Sequence, residues 1–243
     1  MDEANASQAL PRTVDAGRGI GWWSDAWTLF AKNPGVWIVL ALIMIAIYIG
    51  LHFIPFVGGI AGSLILPPLA AGWLLAARKV ERGGTLEIGD LFAGFTDKLT
   101  PLLVVGALLL VAGLVIMLIA GALGFGAGMG MFMDGARHGA GGMMAAFGAA
   151  MLALLVAVAL ATLLAMALWF APALVVFRDV APVDAMKRSF AACLKNIVPF
   201  LLYGVVYVLA AVVASIPFGL GWIVLLPVLM LTAYTSYKDV FGD

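Results

Sequence analysis

The sequence predicts an all-α integral membrane protein with six transmembrane helices, and three observations support that prediction. First, 65% of the 243 residues are hydrophobic and only 11% are charged, whereas soluble domains carry about 25% charged residues. Second, the chain contains six apolar runs near the length of roughly 20 residues that crosses a bilayer as a helix. Third, basic residues cluster between alternate runs, as the positive-inside rule requires.

The six predicted spans have no Asp, Glu, Lys or Arg in their middle. They cover residues 36–53, 58–77, 101–123, 147–177, 197–216 and 220–237. The third and fourth spans are separated by a Gly- and Met-rich stretch, 124–144, which we predict to be a long loop. Residues 1–12 are small and polar and are predicted to form a disordered tail, so that 13–243 form a single membrane domain.

The distribution of basic residues predicts the orientation. If the N-terminus is cytoplasmic, 12 of the 13 Lys and Arg residues lie on the cytoplasmic side, and Arg137 alone lies on the other side. Such a bias is strong by the positive-inside rule. We therefore expect both termini in the cytoplasm.

Composition and motifs argue against several function classes. There is no excess of basic residues to bind nucleic acid, and Cys193 has no partner cysteine for an internal disulfide. We find no nucleophile elbow, Walker loop or zinc-protease motif, and we expect a non-enzymatic protein without a cofactor. Four acidic residues could be brought together by the fold, but we interpret them as solvated partners of nearby lysines and arginines: Asp90, Asp97, Asp179 and Asp184.

An internal repeat is visible in the sequence. The Ile-Pro-Phe turn at 54–56 recurs at 216–218, and the segment 26–33 resembles the segment 189–196. A more diverged copy begins at 91–101. We predict three repeated units, each made of a short cytoplasmic amphipathic helix followed by a transmembrane hairpin.

The amphipathic segments suggest contact with lipid. Trp23, Trp27 and Phe30 recur at helical spacing and share a face, and tryptophan favours the headgroup level of a bilayer. In the last amphipathic segment, Lys187, Arg188 and Lys195 could meet anionic headgroups. A plain topological anchor without a specific ligand would have the same pattern.

Two stretches resemble known families. Segment 179–196, followed by an apolar span, is similar to a motif of poorly characterised bacterial membrane families. These include the membrane domain fused to some glycerophosphodiester phosphodiesterases. Segment 21–34 resembles the start of a family of uncharacterised proteobacterial inner-membrane proteins. The resemblance implies a bacterial inner-membrane location and no established activity, because the phosphodiesterase domain is absent.

Three functions remain open. The first is a membrane protein that binds lipid or organises a membrane-protein partner, and the second is a passive conduit or carrier for an apolar or small neutral solute. The third is copper or silver handling by soft ligands on the outer side, with Met129, Met131, Met133 and His138 as candidate metal ligands. Methionine acting as a flexible apolar filler is the competing interpretation of these residues. The first function is favoured, because the specific features lie at the cytoplasmic interface.

Overall fold

A computed structural model describes residues 10–55, 57–96, 98–138 and 140–242, with the backbone alone at 127, 128, 130–138, 140–142 and 145. Every regular element in these ranges is helical. A 3₁₀ helix covers Ile88–Phe95. The α-helices are α1 (Arg18–Lys32), α2 (Pro34–His52), α3 (Val57–Glu81), α4 (Leu99–His138), α5 (Ala140–Trp169), α6 (Ala171–Arg178), α7 (Pro182–Lys195), α8 (Ile197–Ser215) and α9 (Trp222–Phe241).

Six stretches of helix in the described residues are long and apolar enough to cross a membrane. Each overlaps one of the predicted spans, so the prediction of an all-α chain with six transmembrane helices is confirmed. The protein is therefore a multi-pass membrane protein. The stretches are Pro34–His52, Val57–Glu81, Leu99–Gly126, Ala146–Arg178, Ile197–Ser215 and Trp222–Phe241.

The fourth span is interrupted, which the sequence analysis did not predict. Helix α5 ends at Trp169 and α6 begins at Ala171. Pro172 explains the break, because proline lacks an amide hydrogen and its ring clashes with the carbonyl four residues earlier. The backbone N–H of Phe170 donates a 2.9 Å hydrogen bond to Oγ of Ser189, which is fully buried. This contact joins the break to α7.

The prediction that residues 124–144 form a long loop is wrong for the part of this segment that the structure describes. Helix α4 continues to His138, and α5 starts at Ala140. Glycine disfavours helix, and this motivated the loop prediction, but the segment also holds alanine and methionine, which are among the better helix formers.

The chain divides into two compact units, one formed by the residues up to Ala107 together with those from Ala167 onward, and one formed by Leu108–Met166. The second unit carries the later part of α4 and most of α5. Its large apolar side chains are mostly exposed, while Ala146 and Ala153 are buried. Exposed leucines and valines on two long apolar helices are suited to face lipid.

In the first unit, α1, the 3₁₀ helix and α7 each pack against segments of the predicted spans. Helix α1 packs against α8 and α9, the 3₁₀ helix packs against α3, and α7 packs against α6. The contact between the 3₁₀ helix and α3 needs a glycine, since a Cβ on Gly72 would lie 1.9 Å from the carbonyl oxygen of Leu91. The helices therefore approach each other at backbone distance there.

The short helices and the basic ends of α3, α6 and α9 lie together in the first unit, and we call this region the charged end. Arg178, the last residue of α6, donates hydrogen bonds to the carbonyl oxygens of Phe241 (3.1 Å) and Gly242 (2.8 Å). It thereby satisfies carbonyls at the C-terminus of α9 that have no partner within the helix.

The N-terminal segment is held at the charged end. The amide of Arg12 donates to the carbonyl of Val240 (2.8 Å), and Nζ of Lys195 donates to the carbonyl of Pro11 (2.9 Å). Buried Asn196 accepts from the amide of Val14 and donates to the carbonyl of Arg12, both at 2.9 Å. Pro11 and Arg12, which we assigned to the tail 1–12, therefore belong to the folded part. Residues 1–9 lie outside the described residues.

Candidate functional site

The aromatic face of α1 is turned toward the protein. Trp23 and Phe30 are buried, at 8% and 4% exposure, whereas Trp27 is 54% exposed. The indole of Trp23 stacks on the ring of Tyr203 in α8, with centroids 5.1 Å apart, and its Nε1 donates to the Tyr203 carbonyl at 3.3 Å. Trp27 is therefore the residue of this predicted lipid-facing set that stays available for headgroups.

The predicted basic residues of α7 do not form a single site. Lys187 is exposed and lies 3.9 Å from the Asp184 carboxylate, Arg188 is half-buried, and Lys195 is engaged with Pro11. An exposed pair such as Lys187–Asp184 contributes little to stability. These residues remain predictions for a lipid contact.

The predicted metal ligands lie on α4. Met129 is exposed, and the side chains of Met131, Met133 and His138 lie outside the described residues. Among the residues the structure does describe, no three His, Cys, Asp or Glu side chains converge on one point where a metal could be held. Copper or silver binding by the methionines stays a prediction.

The acidic residues that could have formed a catalytic cluster are separated. Lys79 pairs with Asp90 at 2.9 Å, and Lys98 pairs with Asp179 at 2.7 Å. Asp184 belongs to α7, and Asp97 lies outside the described residues. Two of these carboxylates thus neutralise lysines at different places, as expected for a solvated charged face.

A cavity of about 370 Å³ opens at the charged end, between α1 and the last turns of α3 and α9. This volume lies in the range of small-molecule sites. Its lining includes three basic and three acidic side chains, together with Thr28, Leu29 and Thr235. The charged side chains are Arg18, Asp25, Lys32, Glu81, Lys238 and Asp239.

One wall of the cavity is organised by Arg18. Its Nε donates to Oδ2 of Asp239 at 2.5 Å, and its Nη2 donates to Oδ2 of Asp25 at 2.7 Å. The hydrogen bond that Arg18 donates to Asp239 is the main reason why the pKa of Arg18 is raised above its ordinary value. Trp22 Nε1 also donates to Asp239 Oδ2, at 2.8 Å. The carboxylate of Asp239 is thus held by two donors from α1.

Another part of the cavity lining is organised by Glu81 at the end of α3. The hydroxyl of Tyr234 donates to its Oε2 at 2.6 Å, and the ammonium of Lys238 binds its Oε1. Both oxygens of Glu81 therefore have a donor. Tyr234 and Lys238 are four residues apart and lie on one face of α9.

Two charged side chains of the cavity can still bind a ligand. Lys32 is exposed and has no acidic partner within ion-pair distance among the described residues. Oδ2 of Asp25 accepts a hydrogen bond from Arg18, while its Oδ1 accepts none among the residues that the structure describes. Both residues lie on one face of α1, because their spacing of seven residues is close to two helical turns. A ligand could therefore find one cation and one carboxylate oxygen there.

An apolar groove of about 230 Å³ lies farther along α3 and α9, where α2 also lines it. Its lining comes from the middle of α2 and α3 and from α9, and includes Met44, Tyr48, Ile65, Leu69, Leu226 and Met230. In α9, Leu226, Met230, Tyr234 and Lys238 follow each other at intervals of four, so one stripe runs from the groove to the cavity.

A buried layer separates the groove from the cavity. On the cavity side of the groove, each of the three helices carries large side chains that are 1% exposed or less: Trp37 and Leu40 in α2, Trp73 in α3, and Leu231 and Tyr234 in α9. The rings of Trp37 and Trp73 have centroids 5.1 Å apart. The two sites are thus not continuous.

Sequence reasoning counted Arg18, Lys32 and Lys238 only toward orientation, and it did not single out Glu81 or Asp239. One local signal was available, namely the spacing of Arg18, Asp25 and Lys32 at intervals of seven, which puts alternating charges on one face of α1. The partners on α3 and α9 are distant in sequence. For example, Glu81 and Lys238 are 157 residues apart.

Comparisons with known proteins give one extended similarity. A protein of Burkholderia thailandensis named as a probable inner membrane protein is 29% identical over 255 residues, which covers 94% of this chain and 93% of that protein. No protein-family model matches the chain. No solved structure matches it either. The similarity agrees with the predicted resemblance to an uncharacterised bacterial membrane family and does not extend to the phosphodiesterase fusion.

Proposed function

We propose that this chain is a non-enzymatic, multi-pass protein of the bacterial inner membrane that binds phospholipid headgroups in the charged cavity. One observation carries the proposal, namely an open cavity of about 370 Å³ in which Lys32 has no acidic partner among the described residues. Lys32 acts on Glu81 at longer range, but a cation that forms no ion pair and borders a cavity can still attract an anionic group such as a phosphate.

The depth of the cavity supports a lipid ligand. Its lining includes Glu81, which ends the span Val57–Glu81, and Lys238, near the end of the span Trp222–Phe241. The ends of transmembrane helices lie at the headgroup region of a bilayer. A phosphate group held here would therefore be at the depth at which phospholipids present one.

The location and orientation are part of the proposal. The relative from Burkholderia thailandensis is named as a probable inner membrane protein, and 12 of 13 basic residues fall on one predicted side. We infer that both termini and the charged cavity face the cytoplasm. Anionic lipids and basic residues would then meet on the same side.

The three-unit architecture is also proposed, and the packing supports it. Each short helix packs on the hairpin of the preceding unit in cyclic order, with α1 on α8 and α9, the 3₁₀ helix on α3, and α7 on α6. The first and last hairpins turn alike. A Cβ on Gly58 would lie 1.8 Å from the Leu51 carbonyl oxygen, and a Cβ on Gly221 would lie 2.5 Å from Cα of Ala214. Both members of the second pair come 163 residues after those of the first.

A conduit for small neutral solutes is supported less well. Such a path would have to pass the buried layer of Trp37, Leu40, Trp73, Leu231 and Tyr234. One observation favours it, because Nε1 of Trp73 is buried without a hydrogen-bond partner among the described residues, and such a group is a place where a water molecule can bind. We therefore expect liposomes that contain the protein to swell osmotically at the same rate as protein-free liposomes.

The lipid proposal can be tested by native mass spectrometry of the protein purified from membranes and delipidated in steps. We expect Lys32→Ala to retain fewer phospholipids than the wild type at each step. Lys98→Ala is the matched control, since Lys98 also lies at the charged end but pairs with Asp179 outside the cavity. Equal retention by the wild type and both variants would contradict the proposal.

A further inference from the structure

The charges that line the cavity are balanced, which is unusual for a site that would bind any anionic lipid. Three basic side chains face three carboxylates. Carboxylates would weaken a site that bound only an anion, because each one repels the ligand. The acidic residues therefore help to determine which headgroup the cavity accepts.

Two of the three carboxylates are occupied by the protein itself. Asp239 accepts hydrogen bonds from Arg18 and Trp22, and Glu81 accepts from Tyr234 and Lys238. These groups hold α1, α3 and α9 together and neutralise Arg18 and Lys238. The remaining carboxylate, Asp25, has Arg18 on Oδ2 and an open Oδ1.

The open groups form a dipolar pair on α1. Asp25 and Lys32 share one face and are separated by about 10.5 Å along the helix axis, given a rise of about 1.5 Å per residue. Thr28 lies between them on the same face. The Thr28 hydroxyl donates a 3.0 Å hydrogen bond to the carbonyl of Ser24. The hydroxyl oxygen of Thr28 therefore remains available as an acceptor toward the cavity.

We propose that the cavity selects a phosphoethanolamine headgroup, with the phosphate bound by Lys32 and the primary ammonium bound by Asp25 Oδ1 and Thr28 Oγ1. The inference rests on the proposed lipid binding and specifies its ligand. A primary ammonium has three hydrogen-bond donors. A quaternary ammonium has none, and an uncharged glycerol headgroup gives the Asp25 carboxylate no counter-charge. Phosphatidylethanolamine should therefore bind better than phosphatidylcholine or phosphatidylglycerol.

The test is lipid competition monitored by native mass spectrometry. The delipidated wild-type protein is mixed with equal amounts of phosphatidylethanolamine, phosphatidylglycerol and phosphatidylcholine that carry identical acyl chains. We expect phosphatidylethanolamine to be retained about tenfold over each of the others, as one charge-assisted hydrogen bond can provide. Asp25→Asn should abolish this preference while phosphate-dependent binding of all three lipids remains. The variant should fold, since Arg18 keeps its bond to Asp239.

Asp179→Asn is the control for a lost carboxylate, because Asp179 lies outside the cavity and asparagine tolerates its positive φ of 53°. It should keep the preference of the wild type. An unchanged preference in Asp25→Asn would overturn this inference. Equal retention of all three lipids by the wild type, lowered by Lys32→Gln, would overturn it while leaving the proposed function in place. Retention of no lipid by the wild type would overturn both.

A final arm distinguishes an intact lipid from a free headgroup. Water-soluble glycerophosphoethanolamine is added to the complex with phosphatidylethanolamine. We expect displacement only at concentrations at least about a hundredfold above that of the lipid, since the acyl chains add apolar burial. Displacement at equal concentration would overturn the assignment to a lipid and identify a soluble phosphoethanolamine ester as the ligand.

Discussion

The hydroxyl of Tyr234 donates a 2.6 Å hydrogen bond to the carboxylate of Glu81, across 153 residues of sequence. The Tyr234 ring is 1% exposed and belongs to the layer between the apolar groove and the charged cavity. The bond thus ties this layer to the cavity wall and joins the ends of α3 and α9.

We expect Tyr234→Phe to lower the free energy of unfolding by about 1.5–3 kcal/mol, the usual range for a hydrogen bond to a charged group. The ring volume is kept, so the packing of the layer should not change. Thermal unfolding in detergent, followed by tryptophan fluorescence, measures the effect. Tyr48→Phe is the control, because the Tyr48 side chain is 62% exposed, and an equal loss in both variants would contradict the prediction.

Asn196 should be needed to hold the N-terminal segment. Replacement by alanine leaves the amide of Val14 and the carbonyl of Arg12 without their partner, which costs roughly 2–4 kcal/mol. Limited proteolysis should then cut near residue 12 faster than in the wild type. Asn33→Ala is a matched control, since Asn33 lies 163 residues earlier and caps no helix with its side chain. Equal cleavage rates in the two variants would count against the prediction.

Two adjacent glycines at the start of α3 should respond with opposite sign. A Cβ on Gly58 would lie 1.8 Å from the carbonyl oxygen of Leu51, whereas nothing lies within 4 Å of a Cβ on Gly59. Gly58→Ala should therefore destabilise the hairpin by about 1–3 kcal/mol. Gly59→Ala should stabilise it by roughly 0.4–1 kcal/mol, because alanine restricts the unfolded chain. Melting temperatures of the two variants in the same detergent test both predictions.

The thiol of Cys193 should be unreactive in the folded protein. Burial in α7 raises its pKa to about 12, and the thiolate is the reactive form. Maleimide labelling at pH 8 should be negligible before unfolding and complete after it. Since the pKa is higher in the folded state, the native chain is favoured below the ordinary pKa of 9.0, and this contribution declines as the pH rises above it. Rapid labelling of the native protein would contradict the prediction.

The amphipathic segments illustrate how far a sequence pattern can be taken. The periodicity of Trp23 and Phe30 correctly indicates a helix with an apolar face. It does not indicate what covers that face, because lipid and protein interiors are both apolar. We expected lipid, and the structure places α8 and α9 there instead. The charged cavity was missed for a related reason, since ion pairs such as Glu81–Lys238 join residues that no local pattern connects.

The sequence by itself determined the helical spans, because length and apolarity are local properties that the bilayer selects directly. It also indicated the short helices and where several of them start and stop, as at Pro34 and Pro182, since proline acts on its own backbone. The tertiary structure alone decided that each short helix packs on a neighbouring hairpin. It also decided that Arg18, Glu81 and Asp239 meet around one cavity. The reason is that side-chain packing and charge pairing depend on distances between helices, which are set only when the whole chain is folded.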